Sequence, residues 1–228
     1  MTSLERLARE YGSSRSLAAR LADVRPPRSP RAEAALETVV RDSSGPRISI
    51  GGGPLRAHPS FWNLNLALFP NVDVVGDAHH LPFAPASLGA VHCEAVLEHL
   101  EDPGRAVAEM LRVLKPGGYV FAATPFLQVF HGYPDHFQNF TLAGHRRLFE
   151  RSGFEILDSG ACVGPAFTLV DITSNLLREY VPIRVLSRIG WVVTRVVGRV
   201  VVQLDRLLLR SPASHVVAST TFVLACKP

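Results

Sequence analysis

Apolar positions along this chain change their period several times, and each change marks an element. Residues 3–22 place Leu4, Leu7, Leu17 and Leu21 among charges, a spacing that predicts a helix. Arg25-Pro26-Pro27-Arg28-Ser29-Pro30 breaks that pattern and reads as a linker. Residues 31–42 predict a second helix, ended by Ser43-Ser44-Gly45-Pro46. Short apolar runs then follow at Ile48–Ile50, Phe61–Leu66, Val72–Val75 and Ala90–Cys93, each bounded by turn residues as strands are. Over Pro103–Leu114 the period becomes helical, with Ala106, Val107, Met110, Leu111 and Leu114 on one face and Pro103 suited to the first turn. Lys115-Pro116-Gly117-Gly118 stops that helix, and Tyr119–Ala123 predicts a fifth strand. Thr141–Arg151 predicts a helix closed by Ser152-Gly153, Phe154–Leu157 a sixth strand and Val216–Ala225 a seventh. Strands separated by helical segments predict an α/β fold with a mostly parallel sheet covered on both faces. The last strand returns after a long excursion and is expected to enter antiparallel.

The expected organisation is an N-terminal helical extension over residues 1–46 and a sheet domain over 47–228, with a helical insertion at about 165–212. A chain of 228 residues with 47% hydrophobic content can bury one sizeable core. Cys93, Cys162 and Cys226 are scattered, which argues for a reducing compartment and against a disulfide scaffold or zinc ribbon. Met1-Thr2-Ser3-Leu4-Glu5-Arg6 shows no apolar signal core, so a cytoplasmic location is expected.

The net charge of +4 hides a partition. Residues 1–47 carry net +3 and 178–210 net +5, whereas 48–177 carry net −5. An acidic central domain argues against a nucleic-acid enzyme. Within the second basic segment, Arg184, Arg188, Arg195, Arg199, Arg206 and Arg210 would fall within about 80° of arc on one continuous helix. The rest of that surface is Val, Leu, Ile and Trp191. Such a helix suits a membrane interface, packing on the domain, or a contact with a second copy of the chain. It lacks the ~20 uncharged apolar residues of a membrane span.

Candidate chemistry begins where the first strand stops at Gly51-Gly52-Gly53. A sharp glycine turn lets main-chain N–H groups approach a ligand that a Cβ would hold off. Downstream stand Gly76-Asp77-Ala78-His79-His80-Leu81-Pro82-Phe83, then Val96-Leu97-Glu98-His99-Leu100-Glu101-Asp102-Pro103, then Arg112-Val113-Leu114-Lys115-Pro116-Gly117-Gly118. In this order and spacing the three blocks resemble the class I S-adenosylmethionine-dependent methyltransferases of the type 11 group. The resemblance covers about residues 47–160 plus the last strand. It implies a Rossmann-like seven-stranded methyltransferase sheet and S-adenosyl-L-methionine as cofactor. It places the methionine carboxylate at Gly51, Gly52 and Gly53, the ribose at Asn65, the adenine at Asp77 and Ala78, and Glu94 beneath the sulfonium with His99 nearby.

Three positions depart from the family pattern toward neutrality: Ser49 and Asn65 where acids are usual, and Gly89 where Asp commonly opens the fourth strand. Residues 54–60 are also too few for the usual helix after the glycines. The loop from Thr124 to Thr141 resembles the acceptor segment of methyltransferases acting on small molecules, sugars or lipids. In it His131, Asp135 and His136 are the candidate catalytic groups, since oxygen methylation needs a base near the acceptor. His131 and His136 have no third ligand at metal-site spacing, so no metal is expected. The resulting expectation is methyl transfer to a small-molecule, sugar or lipid-like acceptor, at oxygen. The neutral substitutions leave open a methyltransferase-like binding protein of weak activity, and the Arg stripe a peripheral membrane protein.

Overall fold

The computed structural model describes residues 24–53, 58–132 and 135–228. The helix expected over 3–22 lies outside the described residues, as does the connection at 54–57. One sheet carries seven strands: β1 (Arg47–Ile50), β2 (Trp62–Asn65), β3 (Val74–Val75), β4 (Leu88–Glu94), β5 (Leu114–Pro125), β6 (Glu155–Val163) and β7 (Thr220–Cys226). Their order across the sheet is β3-β2-β1-β4-β5-β7-β6. β1 pairs in parallel with β2 and β4, and the pairs β2–β3 and β4–β5 are parallel too. β7 runs antiparallel to both β5 and β6. This is the Rossmann-like sheet, mostly parallel with one antiparallel strand, that the sequence predicts.

Side chains alternate across the strands, so the sheet presents two faces. On one, Ile48, Ile50, Val91, Cys93, Val120 and Val223 meet Val107 and Met110 of α2 (Pro103–Val113) and Phe149 of α3 (Leu142–Arg151). On the other, Ala90, Phe121, Phe222 and Leu224 meet Ala32, Ala35 and Val39 of α1 (Pro30–Asp42). Burying one large aliphatic side chain contributes about 1.5–3 kcal/mol, so these two clusters hold the sandwich together. Capping fixes where the covering helices start: Asp102 accepts from the Arg105 N–H ahead of α2, and Thr141 from the Gly144 N–H ahead of α3.

Beyond the sheet, α4 (Pro165–Tyr180) and α5 (Arg184–Val201) form a hairpin, and a 3-10 turn leads to the short α6 (Asp205–Leu208). Buried Asp205 reaches back to accept from the Ala166 and Phe167 N–H groups at the start of α4. A Cβ at Gly164 would overlap that carboxylate, so the glycine is required there. A Cβ at Gly198 would overlap Val170, and this close approach seats α5 on α4.

Several boundaries move for local reasons. The Lys115–Gly118 turn lies inside β5 as a bulge: Leu88 pairs with Leu114, yet Ala90 pairs with Tyr119. Gly117 supplies the left-handed residue of this bulge at φ 73°. β6 is longer than its apolar run because β7 offers it a partner from Glu155 to Val163. Residues 214–216 form a 3-10 turn, and the last strand starts at Thr220. The single helix over 183–210 is interrupted at Val202–Leu204, which breaks the common register of the six arginines. Arg195 turns to Asp171 of α4 at 3.0 Å, while Arg184, Arg188, Arg199, Arg206 and Arg210 are exposed.

Burial also sets the acid limit of the fold. His145 on α3 is fully buried, contacts the Thr221 hydroxyl at 3.1 Å and packs on Phe140 and Phe149. Burial pushes its imidazole down to about 3. Between its ordinary value of 6.5 and about 3, the unfolded chain therefore binds a proton that the folded chain refuses. Stability falls as pH falls through that window, by roughly 1.4 kcal/mol per pH unit from this group. His145→Phe is expected to flatten the acid limb of stability measured by urea melts from pH ~7 to ~4.5. An unchanged slope would remove His145 as the cause.

Candidate functional site

A cavity of about 470 Å³ opens at the carboxyl edge of β1 to β4. That volume lies within the usual range for a small-molecule site. β1 lies between β2 and β4, so consecutive strands leave it in opposite directions, the place where open α/β sheets bind ligands.

β1 delivers the chain into the glycine turn. Gly51 has φ 74° and Gly53 φ 56°, and the Gly51 N–H donates to the Leu64 carbonyl at 2.8 Å. A Cβ on Gly51 would overlap the Val96 side chain, so glycine is needed here for both conformation and space. Gly51 and Gly53 line the cavity, and Gly52 does not. Opposite, the chain leaves β4 through Ala95 at φ 54°, a left-handed position for a residue with a Cβ, held by a 2.9 Å bond from its N–H to the Ala123 carbonyl.

Asn65 ends β2 and lines the cavity, with its side-chain oxygen accepting from the Ala67 N–H at 3.3 Å. Asp77 and Ala78 follow β3 and line the same wall. Asp77 Oδ1 accepts from the His79 N–H and meets His79 Nδ1, both at 2.8 Å. Burial works to raise the Asp77 carboxyl, but the bonds from His79 outweigh it and hold it below the usual carboxylate range. At neutral pH Asp77 is thus an acceptor-only group at the cavity wall, with Oδ1 also holding a turn.

Glu94 ends β4 and lines the cavity, but its carboxylate is engaged. One oxygen pairs with Arg28, which arrives from the segment before α1, and the other lies 3.4 Å from His92 Nε2. Burial would raise this carboxyl, yet His92 and Arg28 pull it down to about 2. His92 in turn meets the Ser49 hydroxyl at 3.0 Å. The neutral Ser49 therefore joins a buried polar chain running from β1 through His92 to Glu94. Gly89, the other interior departure, is set by packing: a Cβ there would overlap the Ser44 carbonyl.

The acceptor loop closes one end. His131 lines the cavity beside His99, with ring centroids 5.1 Å apart. His136 sits behind them rather than in the lining, accepting from the His131 N–H at 3.1 Å and meeting the Asn139 side-chain oxygen at 2.7 Å. Asp135 contributes its backbone carbonyl, which holds His99 Nδ1, and its exposed side chain is not in the lining. Two residues that motif reading did not single out belong to this centre. Arg28 reaches Glu94 from 66 residues away. Glu98 is fully buried between His99 and His131. Its place in the Glu98-His99 dipeptide was the available signal, but only the 3-10 turn at Leu97–His99 rolls it inward.

The lining combines main-chain room with an apolar wall. Gly51 and Gly53 leave main-chain room at one point, and Ile50, Leu64, Leu66 and Phe69 supply apolar wall beside Asp77.

Residues 59–122 match a family described as a methyltransferase domain. A probable S-adenosylmethionine-dependent methyltransferase of Mycolicibacterium smegmatis is 35% identical over 100 residues, covering 41% of this chain and 39% of that one. A demethylmenaquinone methyltransferase of Renibacterium salmoninarum is 47% identical over 55 residues, covering 24% and 23%. The chain thus spans less than two fifths of the length of either curated relative. Among solved structures, Haemonchus contortus phosphoethanolamine N-methyltransferase 2, in complex with S-adenosyl-L-methionine, superposes with a TM-score of 0.52 at 19% identity over 86% of this chain and 52% of that one. The [4+2]-cyclase SpnF superposes equally well, at 0.52 and 19%, over 86% and 79%. At such identities the likeness is one of fold.

Gly51→Ala is expected to cost about 1–3 kcal/mol in denaturant melts, from the left-handed backbone and the Val96 overlap together. In a Val96→Ala background the loss should shrink to the backbone part. Equal losses in both backgrounds would show that Val96 does not set the turn.

Proposed function

We propose that this chain, which carries a class I S-adenosylmethionine-dependent methyltransferase domain, binds that cofactor in the β1–β4 cavity and methylates a small or lipid-like acceptor at oxygen. The observation that carries the reading is the cavity itself, lined at one sheet edge by the glycine turn, by Asp77 and Ala78, and by the acceptor loop. The relative that acts on demethylmenaquinone supports a small, lipid-like acceptor.

The cofactor would supply an electrophilic methyl group on its sulfonium. Residues of this chain bind and orient. The glycine turn would make room for the carboxylate against the main chain beyond Gly51, whose own N–H is held by Leu64. Asn65 would take the ribose hydroxyls and Asp77 the exocyclic amine, with the Ala78 N–H toward a ring nitrogen. Glu94, already paired with Arg28, would form floor rather than a free charge. At the acceptor end, His131 lines the cavity and would take the proton of an oxygen nucleophile, while His136 fixes the His131 backbone. Direct displacement needs little else than aligned partners and excluded water.

Calorimetry with S-adenosylhomocysteine tests the reading. Saturable binding is expected, weakened roughly tenfold by Asp77→Asn, which keeps an oxygen for the His79 turn but loses the charge-assisted bond. No heat at millimolar ligand would sink the enzyme assignment.

The α4–α5 hairpin favours an additional reading, docking on an anionic bilayer. No helix among the described residues is long and apolar enough to cross a membrane. Leu169, Ile172 and Leu176 of α4 and Val185, Ile189, Val193 and Val197 of α5 nevertheless stand exposed. Exposed arginines flank them. Co-sedimentation with anionic vesicles is expected to fall several-fold in Arg188→Glu/Arg199→Glu. Lipid-independent dimerisation through the same face would replace this reading.

A further inference from the structure

Glu98, His99 and His131 form a group that the methyl-transfer reading does not explain. Glu98 is fully buried and its Oε1 has no hydrogen-bond partner among the described residues. A buried carboxylate oxygen without a donor is costly and calls for a compensating positive charge. Two imidazole nitrogens face it, His99 Nε2 at 3.7 Å and His131 Nε2 at 3.8 Å.

The other ring nitrogens fix what those Nε2 atoms carry. His99 Nδ1 donates to the Asp135 carbonyl, and His131 Nδ1 donates to the Val129 carbonyl at 3.1 Å. In the neutral rings each Nε2 therefore holds a lone pair. With both rings neutral, two lone pairs and a carboxylate oxygen then converge. The remaining carboxylate oxygen is also satisfied, because the Thr124 hydroxyl donates to Glu98 Oε2 at 3.1 Å. Backbone carbonyls holding the far nitrogens and a hydroxyl holding the far oxygen are the outer support that metal ligands use. One ligand atom from each of the three residues lies within 4.8 Å of the others. Ligands of a tetrahedral ion bound at about 2.0–2.1 Å stand roughly 3.4 Å apart, so the two nitrogens need move only a few tenths of an ångström toward Glu98 Oε1 and draw together from a separation of at most 4.8 Å. His136 stays outside the set, because Asn139 and the His131 N–H occupy its nitrogens.

We propose that Glu98 Oε1, His99 Nε2 and His131 Nε2 form a site for a divalent first-row transition cation of the zinc or cobalt type, at the acceptor end of the cavity. One carboxylate and two imidazoles suit such ions better than magnesium or calcium, which prefer all-oxygen shells. Since His99 and His131 both line the cavity, the open coordination position faces it and would take an oxygen of the acceptor. The site differs from the sequence expectation, which paired His131 with His136 and found no third ligand. It does not depend on the methyl-transfer reading, but with the ion bound the His131 Nε2 lone pair is not open to a proton.

The test is titration of the full-length chain, stripped with chelator, with Co²⁺ and Zn²⁺ alone, followed by visible absorption and calorimetry. One equivalent is expected to bind, with a d–d band for cobalt. Glu98→Gln and His131→Asn are each expected to weaken binding by tenfold or more. Circular dichroism of each variant accompanies the titration. If Glu98→Gln does not fold, His131→Asn, at a half-buried position, decides alone. Absence of binding at millimolar cation would overturn the proposal and leave a proton shared between His131 and Glu98. Binding of unchanged affinity in the variants would overturn it too. S-adenosylhomocysteine calorimetry on the stripped chain reads the cofactor separately, so the two conclusions fail independently.

Discussion

The contact between Gly51 and Val96 is the constraint on which the site depends. It leaves no room for a side chain where the end of β1 passes the exit of β4. Two strand ends are thereby locked at one spacing, and the cavity floor lies between them. On the far side of that floor, Ala95 accepts a left-handed backbone, and its N–H is bonded to Ala123 on β5. Three neighbouring strands of the sheet thus share one tightly packed seam, and the ligand-facing groups hang from it.

Charge is managed in the same economical way. Ser49 and Gly89, where the sequence resemblance led to an expectation of acids, each have a neighbour in this fold. Ser49 is tied to His92, His92 to Glu94 and Glu94 to Arg28, so a polar chain crosses the buried face of the sheet. Gly89 gives way to the Ser44 carbonyl. Each substitution has a packing or pairing partner in this fold. The loss of an acid at these positions therefore reflects local architecture as well as any change in ligand affinity.

Most of the sheet was legible because its signals are local. The alternation of β1, the 3.6-residue period of α2 and the glycine turn each show within a dozen residues. The bulge in β5 and the true length of β6 were hidden, since both depend on a partner strand far away in sequence. The same holds for the site. Glycines and Asp77 could be placed from motifs at strand ends, whereas Arg28 against Glu94 and Glu98 against His131 join segments tens of residues apart. A 3-10 turn of three residues decides that Glu98 points inward. No periodicity in the sequence announces so short a turn.

The position of β7 has a consequence for how the chain acquires its structure. Among the named strands β6 pairs with β7 alone, apart from a bridge between Val163 at its end and Arg28, and β7 fills the gap between β6 and β5. Lys227 completes the lock, exchanging main-chain bonds with Gly117 and Gly118 and placing its ammonium on the carbonyls of Leu111 and Leu114. During synthesis, most of β6 therefore waits without its strand partner until the segment around residues 220–226 has left the ribosome. Pairings of such high sequence separation form slowly, and an open hydrophobic edge invites association with other chains. The helical hairpin made in the interval lengthens that wait. The chain's most vulnerable moment is thus set by strand order, and it passes only when the last strand slides in.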